Sequence, residues 1–231
     1  MGTQDLSPRE KAKQLAARRA LEFVEDGMTV GLGSGSTATF FVELLGRKVQ
    51  EGLKIRAIAS SRASEELARS FGVEICDFEQ CPEIDVTVDG ADEIGPGLSL
   101  IKGGGGALLR EKIVASASRR FIIVADSVKV VNTLGAFPLP VEVIRMALPL
   151  VRRRLEHLNL TSSVRRQKDG TEFVTDEGHL ILDCACGTIE EPERTAASIR
   201  GIVGVVEHGL FLHMANLALI AIDGEVHERT F

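Results

Sequence analysis

The sequence predicts an α/β fold in which a mostly parallel sheet is covered by helices on both faces and a smaller α+β domain is inserted. One observation is that short apolar strands alternate with helical segments as far as Ala125, the pattern of a parallel sheet buried on both faces. A second is that the order changes after Leu134–Pro140 to strand-helix-strand-strand-helix-strand, which is a split β-α-β arrangement. A strand from Leu217 to Asp223 then returns the chain to the first sheet.

The first part of the chain opens with a clear helix start. Ser7 is the cap, Pro8 takes the first helical position and Glu10 closes a capping box. Apolar residues then recur at helical spacing to about Val24. Strands are predicted at Met28–Leu32, Leu53–Ala59, Val73–Cys76, Ile84–Asp89, Leu98–Lys102 and Phe121–Ala125, and further helices at Ala63–Phe71 and Ala107–Ala115.

The second part reads as a separate small domain. Its predicted strands are Leu139–Val143, Ser162–Arg166, Leu180–Cys184 and Val203–Glu207, and its helices are Ala147–Leu158 and Pro192–Ile199. We therefore expect residues 135–210 to form an inserted, smaller ferredoxin-like domain, and residues 1–134 with 211–231 to form the larger sheet domain.

Composition excludes several classes of protein. With 231 residues, 44% of them hydrophobic, the chain can bury a sizeable core. A net charge of −6 argues against a nucleic-acid partner. No apolar run approaches the roughly 18 residues of a membrane span, and the polar amino terminus lacks a signal-peptide core. We therefore expect a cytoplasmic protein with no membrane partner.

The middle of the chain carries the densest set of reactive residues. Asp89 and Asp92 stand at the carboxyl end of a predicted strand, where open α/β sheets place their ligand sites. Lys102 and the glycines Gly103 to Gly106 follow the next strand, and Glu111 lies early in the helix after them. Glycine N–H groups at a helix start favour an anion or a developing oxyanion. Together these residues indicate a proton-transfer site.

Each of these features alone has a simpler structural explanation. Gly and Asp are common at strand-loop-helix joints because they suit turns, and a Glu in a first helical turn often serves capping or the helix dipole. The interpretation as a site depends on the conjunction, because a loop rarely needs two acids, a lysine and four glycines together.

A second candidate site is the glycine turn in Gly31–Phe41, which follows a strand and opens a helix. No Lys-Ser/Thr pair follows its glycines, so it is not a nucleotide P-loop. Ser36 stands where a dinucleotide fingerprint needs its third glycine, although Arg62 after the next strand keeps an NADP site as an alternative. The hydroxyls of Ser34, Ser36 and Thr37, with their amides, predict a small phosphate cradle; a capped helix start is the structural alternative.

Other charged residues give weaker signals. Lys129, at a strand end, is placed to meet a substrate phosphate, with a solvated lysine as the alternative. The basic clusters Arg152–Arg154 and Arg165–Arg166 are more typical of solvated faces. His208 and His213 are five residues apart and lack the HExxH pattern of a metal site.

The four cysteines, Cys76, Cys81, Cys184 and Cys186, do not have the spacing of a zinc knuckle. We expect them to be reduced, structural thiols, as is usual in a cytoplasmic protein.

Six segments resemble the type A family of ribose-5-phosphate isomerases, in family order and over nearly the whole chain. They are GLGSGSTA, DVTVDGADE, LIKGGGGALLREKIVA, VADSVK, LGAFPLPVEV and GVVEHGLF. Six ordered motifs are far more specific than any single glycine loop. The resemblance implies a Rossmann-like sheet domain with a smaller lid domain, no metal or organic cofactor, and a homo-oligomer, with a dimer favoured. Two departures are Ala136, where many members carry a basic residue, and His179, where Asn is common.

The resemblance carries the family's functional residues onto matching positions of this chain. The phosphosugar-binding turn falls on Ser34, Gly35, Ser36 and Thr37, the DGAD motif on Asp89, Gly90, Ala91 and Asp92, and the KGGG motif on Lys102, Gly103, Gly104 and Gly105. The family's general base matches Glu111, and its distal substrate-binding lysine matches Lys129.

The implied reaction is the interconversion of D-ribose 5-phosphate and D-ribulose 5-phosphate, in the non-oxidative pentose phosphate pathway. In this hypothesis Glu111 moves a proton between carbons 2 and 1 through a cis-enediolate, while Lys102 and the glycine amides stabilise the oxyanion. Asp89 would manage a hydroxyl proton, and Asp92 would bind or orient hydroxyls.

Two other functions remain as alternatives. A non-catalytic sugar-phosphate-sensing domain would bind the phosphosugar without turning it over, and Glu111 and Lys102 would then be superfluous. A glucosamine-6-phosphate deaminase would release ammonia from a hexosamine phosphate, and its motifs fit the sequence less well.

Overall fold

The computed structural model describes residues 6–231 and groups them into two compact units. The first unit contains the chain up to Gly90, together with Val114–Val130 and Met214–Phe231. The second contains Ala91–Ile113 and Val131–His213.

The elements follow the predicted alternation closely. In chain order they are α1 (Pro8–Leu21), β1 (Thr29–Leu32), α2 (Gly35–Gln50), β2 (Arg56–Ala59), α3 (Arg62–Ser70), β3 (Glu74–Ile75), β4 (Ile84–Asp89), β5 (Glu93–Ile94), β6 (Leu100–Ile101), α4 (Leu108–Ser116), β7 (Ser118–Asp126), β8 (Leu139–Val143), α5 (Leu148–Glu156), β9 (Thr161–Val164), β10 (Leu180–Ala185), α6 (Pro192–Arg200), β11 (Val205–His208), β12 (Leu210–Phe211), β13 (Leu217–Ile222) and β14 (Glu225–Thr230).

The first unit is built on a seven-stranded sheet in the order β14-β13-β7-β4-β1-β2-β3. All neighbouring pairs are parallel except β13 with β14, which is an antiparallel hairpin. The central strands are apolar and buried because both faces of the sheet are covered. This confirms the predicted mostly parallel α/β sheet.

Helix α1 shows how local sequence and packing agree in the first unit. The Ser7 side chain accepts from the Glu10 N–H, and the Glu10 side chain reciprocates at the Ser7 N–H, which is the predicted capping box. Three alanines, Ala16, Ala17 and Ala20, are fully buried in the sheet's core. Their small side chains let the helix backbone lie close to the strands.

The second unit contains a four-stranded antiparallel sheet in the order β11-β8-β10-β9. With α5 and α6 inserted between β8 and β9 and between β10 and β11, this is the predicted β-α-β-β-α-β order. Its core is formed by residues such as Val141, Leu155, Leu182 and Ile199, all fully buried. A separate three-stranded sheet, β12-β6-β5, belongs to the same unit.

The compact units differ from the predicted domains chiefly in residues 91–113, which group with the second unit. The predicted boundaries at 134/135 and 210/211 therefore stay a prediction. Strands β5, β12 and β14 were not predicted; two of them contain only two residues, and β14 is mostly polar and exposed.

The expectation of four reduced thiols is wrong for one pair. Cys76 and Cys81 form a disulfide bond, whereas Cys184 and Cys186 are free thiols. The bond forms because the turn between β3 and β4 folds Cys81 back on Cys76, with their Cα atoms 6.4 Å apart.

Within residues 6–231, none of the helices has the length and apolar character needed to cross a bilayer.

Candidate active site

Three neighbouring strands of the first sheet end in the residues predicted to bind substrate. The order β7-β4-β1 places Lys129 after β7, Asp89 at the end of β4, and Ser34 after β1. Because these strands are parallel, their carboxyl ends share one edge of the sheet, which is where ligands bind in such folds. Lys129 itself ends a single 3₁₀ turn, Ser127–Lys129.

Asp89 is held in place by backbone amides. It is buried, and its Oδ1 accepts hydrogen bonds from the N–H groups of Ser34 (3.0 Å) and Gly90 (2.7 Å). This approach requires glycine at position 33, because a Cβ there would lie 2.3 Å from the Asp89 carboxyl carbon. The turn after β1 is therefore fixed to the carboxylate at the end of β4.

The start of α2 has the properties of the predicted phosphate cradle. Ser36 and Thr37 lie in its first turn, which contains no acidic residue. From α1, Lys13 Nζ donates a hydrogen bond to Ser36 Oγ at 2.8 Å. An ammonium group, hydroxyls and the positive end of a long helix together favour an anion such as a phosphate.

The sequence interpretation missed Lys13. It treated α1 only as a helix with a buried face, and Lys13 is 23 residues away from its partner Ser36. A lysine in a helix that precedes a glycine turn is weak evidence for a phosphate site. Only the packing of α1 beside α2 shows that Lys13 reaches this turn.

The second unit brings together the other predicted reactive pair. Lys102 follows β6, Glu111 lies in the first turn of α4, and Lys102 Nζ is 3.4 Å from Glu111 Oε2. Both side chains are nearly fully buried, at 3% and 4% exposed. Each of these buried charges needs its partner, because burying an isolated ion away from water costs much free energy. A base beside a cation is an arrangement that can support proton abstraction, because the cation can stabilise the negative charge that develops.

The glycine turn lies between these two residues in the sequence. Gly103 O accepts the Gly106 N–H at 2.9 Å, so the four glycines form one tight turn. The Gly104 N–H donates to Asp92 Oδ2 at 2.7 Å. Asp92 of the DGAD segment is thereby hydrogen-bonded to the glycine turn of the KGGG segment.

A second lysine-glutamate pair lies one residue farther along α4. Lys112 Nζ donates to Glu207 Oε1 (2.9 Å) and to the carbonyls of His208 (2.6 Å) and Leu210 (2.8 Å). It also lies 4.6 Å from the centre of the Phe211 ring, and Lys102 Nζ lies 5.5 Å from it. The same ring therefore contacts both lysines.

Burial shifts the ionisation of this second pair. Burial lowers the pKa of Lys112 to about 8, against the opposing effect of Glu207. Burial and the nearby Lys112 lower the pKa of His208 to about 3. Burial raises the pKa of Glu207, and the nearby charge of Lys112 lowers it. The pKa of Glu207 stays below its ordinary value. Sequence reasoning did not identify this cluster, because Lys112 reads as an ordinary helix-surface lysine.

One sequence interpretation of a charged residue needs correction. Arg165 is not a solvated side chain: its guanidinium pairs with Asp183 and contacts the glycine turn, and only 13% of the side chain is exposed. The neighbouring Arg166 is exposed, as predicted for a solvated face.

The predicted site residues thus fall into two groups, each within one unit. The first unit holds Ser34–Thr37, Asp89, Gly90 and Lys129, and the second holds Ala91, Asp92, Lys102–Gly105 and Glu111. The division between the units falls inside the DGAD motif, after Gly90.

Comparison with known proteins gives one consistent answer. The family model of ribose 5-phosphate isomerase A (phosphoriboisomerase A) matches residues 56–225. A ribose-5-phosphate isomerase A of Bartonella quintana is 48% identical over 223 residues, which are 94% of this chain and 95% of that protein. One from a Roseiflexus species is 50% identical over 212 residues, covering 90% of this chain and 91% of that protein.

Solved structures agree with the sequence matches. A D-ribose-5-phosphate isomerase in complex with phospho-erythronic acid superposes with a TM-score of 0.94 at 34% identity, over 97% of this chain and 100% of that one. The ribose 5-phosphate isomerase A of Methanocaldococcus jannaschii superposes with a TM-score of 0.92 at 34% identity, over 96% and 99% of the two chains. This chain belongs to the ribose 5-phosphate isomerase A family of enzymes.

Proposed function

We propose that the chain interconverts D-ribose 5-phosphate and D-ribulose 5-phosphate by moving one proton between carbons 2 and 1 of the open-chain sugar. The observation that carries this proposal is the buried contact of 3.4 Å between Lys102 Nζ and Glu111 Oε2, beside the glycine turn. A hydrogen next to a carbonyl is only weakly acidic, so the reaction needs a base at the carbon and positive charge or donors at the oxygen.

Glu111 is the proposed base. Its carboxylate takes the proton from carbon 2 of the aldose, and the electron pair of the C–H bond forms the double bond of a cis-enediolate. The proton then returns to carbon 1, while a hydroxyl proton leaves oxygen 2 and oxygen 1 is protonated, which gives the ketose. One carboxylate serves both carbons because they are adjacent in the planar intermediate. Burial of the Glu111 side chain favours this role, since it keeps bulk water from the reacting atoms.

Lys102 and the glycine amides are the proposed electrophiles. As carbon 2 loses its proton, negative charge develops on the oxygen at carbon 1, and an ammonium fixed in a dry site stabilises that charge more than water does. Lys102 is well fixed, because its own N–H donates to Gly209 O at 2.9 Å and its ammonium lies against the Phe211 ring.

The two aspartates are assigned to hydroxyl chemistry. Asp89 would manage a hydroxyl proton and assist ring opening, since its carboxylate is fixed by two amides and lies at the ligand edge of the sheet. Asp92 would orient sugar hydroxyls while it holds the Gly104 amide.

The phosphate end of the sugar is assigned to the turn after β1 and the neighbouring strand ends of the seven-stranded sheet. Ser34, Gly35, Ser36 and Thr37 would supply amides and hydroxyls, and Lys129 would supply charge from the adjacent strand end. Lys13 joins this set, because it already donates to Ser36. A local cluster of this kind lets a protein of net charge −6 bind a phosphate dianion.

The phospho-erythronic acid held by one solved relative supports the same chemistry. That compound is a phosphorylated four-carbon sugar acid, and its planar carboxylate has the charge and shape of an enediolate. We expect it to bind this chain as an analogue of the intermediate.

The proposal extends to the biological setting. A homodimer in the cytoplasm, working in the non-oxidative pentose phosphate pathway, is what the family resemblance implies. The reaction as written is a proton transfer and requires no electron carrier.

The deciding experiment measures ribose 5-phosphate turnover by the purified protein, with and without EDTA, beside a Glu111→Gln variant. Glutamine keeps the shape of the side chain and removes the base, so kcat should fall by about 10² or more. Glu156→Gln, at an exposed position on α5, is the matched control and should keep normal turnover.

Two outcomes would contradict the proposal. Near-normal turnover by Glu111→Gln would show that Glu111 is not the base. Binding of ribose 5-phosphate by the unaltered protein without turnover would instead favour the sugar-phosphate-sensing alternative.

A further inference from the structure

An arginine side chain binds the carbonyl groups of the glycine turn. Arg165 follows β9, and its Nη1 donates to the carbonyl oxygens of Gly103 (2.7 Å) and Gly104 (3.2 Å). Two successive carbonyls of the turn are thus fixed by one guanidinium group. The turn itself is short and rich in glycine, so without such a partner its peptide groups would have wide conformational freedom.

The guanidinium is in turn fixed by Asp183 in β10. Arg165 Nε donates to Asp183 Oδ2 at 2.9 Å, and Nη2 donates to Asp183 Oδ1. A bidentate pair of this kind sets the plane of the guanidinium as well as its position. The side chains of Arg165 and Asp183 are 13% and 24% exposed, so the pair is largely shielded from water.

Phe173 closes the same side of the turn. The Arg165 guanidinium carbon lies 5.9 Å from the centre of the Phe173 ring. Gly106 adopts a φ of +87°, and a Cβ there would lie 2.2 Å from the Phe173 Cζ. The ring therefore packs against both Gly106 of the turn and the guanidinium that holds the turn's carbonyl groups.

This arrangement determines where the amide donors point. In a planar trans peptide the C=O and the following N–H point in opposite directions. Because the Gly103 and Gly104 carbonyls face Arg165, the N–H groups of Gly104 and Gly105 point to the opposite side. The Gly104 N–H meets Asp92 Oδ2 there at 2.7 Å. The Gly105 N–H shares that side, at an exposed residue whose surroundings are open.

We propose that Arg165, held by Asp183, is a positioning residue of the isomerase site. It fixes two peptide groups of the glycine turn so that the Gly105 N–H faces the oxygen on which negative charge develops. A cation behind the carbonyls also polarises these peptides, which strengthens their N–H groups as donors. The inference rests on the proposed function, because it assigns the amides of the turn to the enediolate.

Experiment can distinguish this positioning role from a simpler, purely structural role of the Arg165–Asp183 pair. If Arg165 and Asp183 only join β9 to β10, their loss lowers stability and leaves the kinetic constants of the folded enzyme unchanged. A positioning role predicts a loss in kcat with little change in KM, because the donors act most strongly on the charge that forms in the transition state.

The test uses the full-length enzyme with Arg165→Ala, Arg165→Lys and Asp183→Asn, beside the control Arg166→Ala, which removes the neighbouring exposed arginine. For Arg165→Ala we expect kcat to fall about tenfold or more, which is less than the roughly 10²–10³-fold loss for removal of an oxyanion donor, because the amides themselves remain. The inhibition constant for phospho-erythronic acid should rise in parallel with the loss in kcat/KM, while KM for ribose 5-phosphate changes little. Arg165→Lys keeps the charge but not the planar fork, so it should recover only part of the rate.

Added guanidinium ion at millimolar concentration supplies a further readout. It should raise kcat of Arg165→Ala and leave the enzyme with Arg166→Ala unchanged, which a merely structural role does not predict. Where Arg165→Ala does not fold, Asp183→Asn carries the same expectation of a kcat loss at nearly constant KM. Unaltered kcat in the folded Arg165 or Asp183 variants would overturn this inference and leave the proposed function standing. Absence of turnover by the unaltered enzyme would overturn both.

Discussion

Two lysine-glutamate pairs begin at adjacent residues of α4, and they are built differently. Lys112 makes three hydrogen bonds of 2.6–2.9 Å, one to Glu207 and two to backbone carbonyls. Glu111 lies 3.4 Å from Lys102, which is longer than a charge-assisted hydrogen bond. The first geometry is that of a structural contact. The second brings a base and a cation together without the short, direct hydrogen bonds of the first, so that both groups can act on one bound substrate.

The contrast indicates how one short helix can serve both the fold and the chemistry. Lys112 anchors α4 to the segment Glu207–Leu210, and the same segment accepts the Lys102 N–H through Gly209 O. The fully bonded pair thus fixes the backbone on which the reactive pair depends. Variants of the two pairs should therefore differ in whether activity or stability suffers more.

The largest effect is expected for Lys102→Gln. It removes the cation proposed to stabilise the enediolate, so kcat/KM for ribose 5-phosphate should fall about 10²–10³-fold, the range for loss of an oxyanion stabiliser. The accompanying loss of stability should be modest, because the amide of the new glutamine can still donate a hydrogen bond to the Glu111 carboxylate. Initial rates and urea unfolding measure both quantities, and near-normal kcat/KM would remove Lys102 from the mechanism.

A smaller change in activity but a larger one in stability is expected for Glu207→Gln. The substitution leaves the buried Lys112 without its carboxylate, beside the cation of Arg200. Breaking one partner of a buried pair costs about 3 kcal/mol or more in unfolding free energy, and the side chains of Glu207 and Lys112 are only 9% and 12% exposed. Urea unfolding measures the loss. If kcat falls as far as it does in Lys102→Gln, the distinction between the two pairs is wrong.

The effect that is smallest at neutral pH concerns His208, which is packed beside Lys112, Glu207 and Arg200. The unfolded chain binds a proton on His208 near pH 6.5, but burial lowers the pKa in the folded protein to about 3. Stability should therefore fall as pH drops through this window, by at most about 1.4 kcal/mol per pH unit from this one residue.

The variant His208→Asn should flatten that pH dependence. Urea unfolding at several pH values from 7 to 4 gives the slope for both proteins. Glu207 adds a slope of the same sign, because its pKa is also below the ordinary value in the folded protein. Identical slopes in the two proteins would show that His208 does not contribute.

Much of the fold could be predicted because periodicity and turn residues are local signals. The capping box at Ser7, the apolar strand ending at Asp89, and the element order of the second unit were predicted and are confirmed. Strand β14 was not predicted, because its residues alternate weakly and only pairing with β13 makes them extended. The two-residue strands β5 and β12 likewise depend on their partner β6.

Residues of the candidate site could be predicted when they stand together in a sequence motif. Residues whose partners lie far away in the sequence could not. Lys102, Glu111 and the glycines stand together in the sequence. Arg165 is 62 residues from Gly103, and Lys112 is 95 residues from Glu207. Nothing local distinguishes either cation from one on a solvated face, since the desolvation and pairing that give them a role arise only in the tertiary structure.

Phe211 offers a spectroscopic view of both pairs at once. Its ring is fully buried, and the ammonium groups of Lys102 and Lys112 lie 5.5 and 4.6 Å from its centre. A fluorine atom placed on this ring by site-specific labelling would sense the electric field of each ammonium. The resulting ¹⁹F resonance would register substrate arriving at one lysine and deprotonation of the other, in a chain that has no tryptophan or tyrosine to fluoresce.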